Sequence, residues 1–486
     1  MKSRKVKVVA LIICVFLLFI YCAPPQISHA RDYERPENGS VTVNGQPAKQ
    51  VRFVNYEYDN NRFISLRDLA SLLLGTSKQF ELSIDSDGIK IETGIPYVGI
   101  GVEHTLWDEE EVATWNTYTL KANPITINEK NVRYYTFLYQ MKNGSDCFIS
   151  LLDASMLFDL CVEKIGNNVW AIDTEKGYHL DMADLDGKNY FQNVNAIYVG
   201  DATTGEAFFS YEGDKAFPIA STTKLMTCLL TYEAIERGQI SMDDVINFSE
   251  NVDRLAHGTD AVLPLYLEKS ATVKEMLAGC LLPSSNEAAL SLAEFIDGSE
   301  EKFVQRMNQK AKELGMYHSI FYNCNGLPFY IEDVVPVKAQ NYAAASDMCI
   351  LSSYIVNNYP QLLEISSSSR IGLESIGQVV QNTNSCMYNI PEMVGLKTGT
   401  TNRAGACLIT ASKVQLADGE HIVITVLLGA ESSYDRTRIT EMLARYAMDR
   451  AKNPDAYKHM EQPVPMEQEK PKKAKDLLQY CIMNLK

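Results

Sequence analysis

Phe217-Pro218-Ile219-Ala220-Ser221-Thr222-Thr223-Lys224-Leu225-Met226-Thr227 sets a hydroxyl and an amine three residues apart within an otherwise apolar stretch. Helical periodicity runs from Ser221 to Arg237 and stops at Gly238, which places Ser221 and Lys224 on one face, a turn apart. A nucleophile and its base can then touch. The apolar flanks draw Lys224 toward the interior, where desolvation lowers an amine's pKa and makes it a usable base near neutral pH. Ser299-Glu300-Glu301-Lys302 has the same spacing in a charged setting and is most simply a solvated helix start.

Two further motifs lie downstream. Ser284-Ser285-Asn286 falls between the apolar helix ending Leu281-Leu282-Pro283 and the next helix, Glu287-Ala288-Ala289-Leu290. A hydroxyl and an amide on such a turn can relay a proton and hold a substrate amide. Ser249-Glu250-Asn251 repeats the pattern as a polar surface turn. Lys397-Thr398-Gly399, followed by Thr400, occurs once; on a strand edge, Lys397 supplies positive charge and Thr398 a hydroxyl for a carboxylate, and Gly399 leaves room for substrate backbone. Each motif alone is more often structural than functional.

The surrounding pattern is mixed α and β. Ala196-Ile197-Tyr198-Val199 and Ala207-Phe208-Phe209-Ser210 flank a turn and predict a hairpin. Helices are readable around Val273–Leu282, Glu287–Ile296, Lys302–Leu314, Ala343–Val356 and Arg436–Met448, and inner strands at Gly405–Ser412 and His421–Leu428. That order implies an α+β domain, a sheet packed with a helical cluster, over residues 181–450.

S-x-x-K, S-x-N and K-T-G in this order mark the penicillin-recognising active-serine enzymes. With Leu281–Ala289, Asn382-Thr383-Asn384, Gly395–Gly399, Lys310–Met316 and the turn Asn323-Cys324-Asn325-Gly326-Leu327, the chain from about residue 190 to 450 closely resembles serine-type D-alanyl-D-alanine carboxypeptidases, the low-molecular-mass penicillin-binding proteins. The resemblance implies a β-lactamase/penicillin-binding-protein-like fold, an antiparallel sheet with a helical cluster. It implies that Ser221 attacks the bond between the terminal D-alanines of a peptidoglycan stem peptide while Lys224 takes its proton. Ser284 then shuttles the proton to the leaving amine, and Asn286 orients Lys224 and the substrate. The backbone amides of Ser221 and Thr400 form the oxyanion hole. Lys397 and Thr398 bind the terminal carboxylate, and Arg436 stands where the family often has an arginine near it. β-Lactam antibiotics are the implied inhibitors, with no cofactor. His257-Gly258-Thr259-Asp260-Ala261 replaces a more usual Gly-Ser-Ser-like turn, a departure that bears on loop shape. A β-lactamase would need a placed glutamate, and no Glu-x-x-x-Asn element follows Ser284; a transpeptidase would use the same residues with an amine acceptor.

The region before this domain repeats itself. Val41-Thr42-Val43-Asn44 is echoed by Ile125-Thr126-Ile127-Asn128, and Phe63-Ile64-Ser65-Leu66-Arg67-Asp68 by Phe148-Ile149-Ser150-Leu151-Leu152-Asp153. The two registers agree within one residue and predict a smaller, β-rich duplicated domain over 31–180, with copies at about 38–93 and 122–176. Each copy should open a short helix near Ser65 or Ser150, capped by the hydroxyl. The pattern resembles the β-rich modules at the N-terminus of copper amine oxidases and in bacterial surface proteins, without a histidine cluster for copper. A wall- or partner-binding role and a spacer role both fit it, and a non-catalytic wall-binding protein is the competing whole-chain function.

At its start, Lys2, Arg4, Lys5 and Lys7 precede an apolar run from Val8 to Ala23, and Ser28-His29-Ala30 offers a cleavage site, so residues 1–30 read as an export signal, cleaved or retained. The chain is expected outside the cytoplasm, at the cell surface or wall. Its 486 residues carry 45 Lys and Arg against 61 Asp and Glu, a net charge of −16 that opposes binding to nucleic acid. The cysteines form no C-x-x-C pair and the histidines no H-E-x-x-H, so no metal site is expected. Cys228, Cys280, Cys349 and Cys407 sit in apolar stretches, as core residues do. The tail from 451 to 486 ends in Lys470-Pro471-Lys472-Lys473-Ala474-Lys475, then Leu477, Leu478, Cys481, Ile482 and Leu485, a face that could make a weak membrane-surface contact.

Overall fold

The computed structural model describes residues 34–56, 61–85, 88–115, 120–141, 144–180, 191–330 and 338–457. The export signal, the linker at Asp181–Lys188 and the basic end of the tail lie outside them. The chain divides into two compact units, 1–180 and 181–486.

The first unit is one ten-stranded sheet with three short helices, one of which, Glu109–Thr114, lies between the two copies. Its first copy contributes β1 (Glu34–Val43), β2 (Lys49–Tyr56), β3 (Asn61–Ser65), helix α1 (Leu66–Leu73), β4 (Phe80–Asp85) and β5 (Gly88–Thr93). The second contributes β6 (Lys121–Ile127), β7 (Lys130–Met141), β8 (Gly144–Ser150), helix α2 (Leu151–Phe158), β9 (Cys161–Gly166) and β10 (Val169–Asp173). Strand order is β4-β5-β6-β7-β8-β3-β2-β1-β10-β9. The copies meet at β3 and β8, antiparallel about the pair Ile64 and Ile149, so a pseudo-twofold axis runs through two residues that occupy equivalent places in the repeat. Each copy also gives its last hairpin to the other: β5 pairs parallel with β6, and β10 with β1.

Local chemistry repeats with the symmetry. Ser65 and Ser150 cap the two helices, accepting from the amides of Asp68 and Asp153. Asn44 and Asn128 both adopt left-handed backbone. Asn44 exchanges two hydrogen bonds with Thr174, and Asn128 two with Thr93, which ties each copy to the hairpin received from the other. Beside the axis, Arg52 bonds both Asp68 and Asp146 in a cluster that is almost fully buried.

The second unit is built on a five-stranded antiparallel sheet. Its strands are β11 (Ala196–Asp201), β12 (Ala207–Tyr211), β13 (Met393–Thr401), β14 (Gly405–Leu416) and β15 (Gly419–Ala430), in the order β12-β11-β15-β14-β13. The expected hairpin and inner strands are present, and K-T-G lies on the edge strand β13. Helix Ser433–Lys452 packs on β14 and β15, and helix Ala345–Asn358 on β11 and β15. Four further helices belong to the cluster, α3 (Lys224–Glu236), α4 (Val273–Leu281), α5 (Asn286–Asp297) and α6 (Glu300–Leu314), with the short helices Glu250–Ala256 and Leu362–Ser366 packed on α5 and α4. Their shared core includes Leu229, Met276, Leu277, Leu292 and Met307, all shielded from solvent. The eight cysteines of the described residues are free, with Cys228, Cys280, Cys349 and Cys407 fully buried as core residues.

All three tryptophans of the chain, Trp107, Trp115 and Trp170, belong to the first unit, so their fluorescence reports its unfolding separately. Arg52→Met leaves Asp68 and Asp146 without their shared cation. It should destabilise that transition by about 3–5 kcal/mol in urea.

Candidate active site

Ser221 lies in a tight helical turn, Ala220–Thr223, that runs directly into α3. Ala220 holds a positive φ of 46°, an uncommon conformation for a residue with a side chain. The turn is packed from outside. Gly326 has a φ of 89°, and a Cβ there would overlap the carbonyl of Ala220. A Cβ on Gly399 would press to 3.0 Å from the amide nitrogens of both Ser221 and Thr222. The smallness of Gly399 therefore serves the seating of the Ser221 turn against β13.

Lys224, the first residue of α3, is completely buried. Its Nζ lies 2.8 Å from each of three oxygens: Ser221 Oγ, Asn286 Oδ1 and the carbonyl of Asn325. Two of these can only accept, whereas the hydroxyl can also donate. A neutral amine has two N–H bonds and one lone pair, so it satisfies this set by donating to Asn286 and Asn325 and accepting from Ser221. Burial brings the Lys224 pKa down to about 8, partly offset by Cys280, Cys324 and Glu287 nearby. The Lys224 amine and the Ser221 hydroxyl are thus in direct contact.

Asn286 opens α5, whose cap is Ser285 accepting from the amide of Ala288. With Oδ1 turned to Lys224, the Asn286 Nδ2 donates to the carbonyl of Asp260 at 3.3 Å. Glu287 is fully buried and accepts from Ser285 Oγ at 2.5 Å and from the amide of Val262 at 2.6 Å. The loop after His257 is therefore fastened to the S-x-N turn on both sides of Ala261. Ser284 has a φ of 69°, and among the described residues its hydroxyl has no hydrogen-bond partner. It stands next to the network without joining it.

On β13, Lys397 is buried and donates to the carbonyl of Thr398 at 2.9 Å. Desolvation, then the charge of Lys224, holds its pKa well below the usual lysine value. Thr398 Oγ1 is 2.6 Å from Thr383 Oγ1. Arg436 donates to Thr400 Oγ1 at 3.2 Å, so the arginine singled out in the sequence does reach the strand. Positive charge gathered at a strand edge with hydroxyls beside it suits a small carboxylate.

The two look-alike motifs have structural duties. Ser299 caps α6 by accepting from Lys302's amide. Ser249 caps helix Glu250–Ala256, and both Ser249 and Asn251 bond Glu294. Three participants escaped sequence reasoning: the Asn325 carbonyl, Glu287 and Asn341. Buried Asn341 donates to Thr223 Oγ1 and Asn323, accepts from the amides of Tyr322 and Asn323, and so joins the nucleophile turn to the Asn323–Leu327 turn. The Asn-x-Asn-Gly pattern marked a turn, but a carbonyl carries no side-chain signal. Among the described residues no group of His, Cys, Asp and Glu could hold a metal ion.

Residues 191–432 match the family model described as D-alanyl-D-alanine carboxypeptidase. The chain is 32% identical over 252 residues to the D-alanyl-D-alanine carboxypeptidase DacF of Bacillus subtilis, covering 49% of this chain and 58% of the relative. It is 28% identical over 250 residues to DacD of Escherichia coli, covering 51% and 61%. It thus spans about three-fifths of the length of these curated relatives. Among solved structures it is similar to a peptidoglycan synthesis regulatory factor (PBP3) of Streptococcus pneumoniae, with 30% identity over 53% of this chain and 72% of that one, TM-score 0.49. It is also similar to penicillin-binding protein D2 of Listeria monocytogenes in its ampicillin-bound form, with 29% identity over 52% of this chain and 97% of that one, TM-score 0.46. Through its second unit, this chain belongs to the D-alanyl-D-alanine carboxypeptidase family. The family match does not extend to residues 34–180.

Glu287→Ala removes the acceptor of the buried Ser285 hydroxyl, at about 1–3 kcal/mol, and of the amide of Val262 at the surface. The thermal midpoint of the second unit, followed by circular dichroism, should fall by about 2–10 °C.

Proposed function

We propose that the protein is a serine-type D-alanyl-D-alanine carboxypeptidase that removes the terminal D-alanine from peptidoglycan stem peptides through an acyl-enzyme on Ser221. The observation that carries this is the buried Lys224 amine in contact with Ser221 Oγ, its other two partners being pure acceptors. Ser221 Oγ attacks the carbonyl carbon of the penultimate D-alanine as its proton passes to Lys224. The resulting ammonium still donates to Asn286 and Asn325. The negative oxygen of the tetrahedral intermediate falls to the backbone amides of Ser221 and Thr400. The C–N bond then breaks, and the departing amine takes a proton from Lys224 through the unengaged hydroxyl of Ser284. Water, deprotonated by the same lysine, hydrolyses the ester and restores Ser221.

Lys397, Thr398 and Arg436 would hold the carboxylate of the leaving residue, which makes the enzyme an exopeptidase. Penicillins present a carboxylate beside a strained amide and should acylate Ser221. The reaction belongs outside the cytoplasm, where the wall is, in keeping with the export pattern of residues 1–30. Among the described residues no helix is long and apolar enough to cross a membrane. For the duplicated unit we propose wall or partner binding, or a spacing role, on the basis of its repeat.

Purified protein should release D-alanine from a diacetyl-L-Lys-D-Ala-D-Ala peptide and form a covalent adduct with labelled penicillin. Ser221→Ala should do neither, and D-alanine release by that variant would remove the nucleophile assignment. Because burial lowers the pKa of Lys224, the reactive free base grows as pH rises. The rate of penicillin acylation should therefore climb with pH and reach half its plateau near pH 8. A rate flat between pH 6 and 9 would exclude Lys224 as the base.

A further inference from the structure

Thr383 lies outside the three motifs, yet it is fixed beside one of them. The residues on either side are anchors. Asn382 Nδ2 donates to the carbonyls of Ser366 and Ser368, and Asn384 Nδ2 to the carbonyl of Gly395 on β13. Thr383's own amide donates to the carbonyl of Leu282, just before the S-x-N turn. Its side chain is thereby held between two segments that carry the site, with its hydroxyl on that of Thr398.

The protons of these two hydroxyls can be followed. Thr383 Oγ1 donates to the Leu282 carbonyl at 3.0 Å. Having one proton, it can only accept across the 2.6 Å contact, so Thr398 donates to it. In that order Thr398 has no proton left for a ligand. A carboxylate only accepts, and binding one requires Thr398 to turn its proton outward. The contact with Thr383 survives only if Thr383 also turns and donates to Thr398. The Leu282 carbonyl then still keeps the Thr383 amide at 3.2 Å, and Thr383 is exposed, so the turn displaces no packed atoms.

We infer that Thr383 is a positioning residue for recognition of the substrate's terminal carboxylate, a hydroxyl that reverses its hydrogen bond so that Thr398 can donate to the ligand. The inference rests on the carboxypeptidase reading above and assigns a residue to that site. Donors in series strengthen one another, and the buried lysine and Arg436 supply the charge while the hydroxyl pair supplies direction. The device acts on ground-state binding of a free carboxylate and not on the acyl transfer at Ser221.

The test compares wild type, Thr383→Val and Thr383→Ser on two substrates: diacetyl-L-Lys-D-Ala-D-Ala with a free terminal carboxylate, and its methyl ester. Valine keeps the shape and removes the hydroxyl; serine restores it. For the valine variant, KM for the free acid should rise about three- to ten-fold, the effect of one net hydrogen bond. Its preference for acid over ester, in kcat/KM, should fall by the same factor, and serine should return both toward wild type. If wild type cleaves the acid and valine leaves its KM and the acid-to-ester ratio unchanged, the relay does not exist. If kcat falls on both substrates with the ratio preserved, Thr383 is merely structural and the inference is overturned. If wild type itself releases no D-alanine, the failure lies with the carboxypeptidase reading.

Discussion

A lysine side chain with no exposure to water is the constraint around which the second unit is arranged. Left alone, a buried ammonium is expensive, and the fold answers by supplying three oxygens at hydrogen-bond distance from Lys224 Nζ. Those oxygens come from the same turn, from the start of α5 and from a carbonyl a hundred residues further on. Each must be delivered by its own supporting structure: Asn341 and Gly326 for the turns, Ser285 and Glu287 for α5. Removing the lysine's solvation thus both lowers its proton affinity and forces three segments to meet around the Ser221 hydroxyl.

The same economy shapes the carboxylate end. Lys397 is as buried as Lys224, and each lysine raises the cost of charging the other. A buried cation beside a second buried amine is poorly tolerated without a counter-ion, so this strand edge favours a small carboxylate with hydroxyls around it. The overall −16 of the chain does not oppose this, because the predicted functional cations are confined to a single strand edge and the helix beside it.

Much of this was legible in the sequence because it is local. Ser221 and Lys224 are related by helical spacing, and the apolar neighbours of Lys224 already implied its burial. Capping of the duplicated helices by Ser65 and Ser150 likewise needs only the residues beside them. What was illegible is non-local or lacks a side chain. The Asn325 carbonyl is backbone. Thr383 is informative only beside Thr398, and Glu287 looks like any early helical acid until Val262 lands on it. Gly399 was legible as a place needing room, but only the packed structure showed that the turn carrying Ser221 presses against it. Ser284, grouped by motif with Asn286, remains outside the hydrogen-bonded set.

The duplicated unit draws the line most clearly. Sequence alone supplied the expectation of two copies and the two capping serines, Ser65 and Ser150, because repetition and capping are properties of short stretches. Only the tertiary structure decided that β4–β5 and β9–β10 change places between copies. A strand edge recognises backbone and a hydrophobic pattern, and duplication gives both copies the same pattern. Self-pairing and exchange are therefore written identically in the sequence, as any lysine's three acceptors are, and the choice falls to how the whole chain packs.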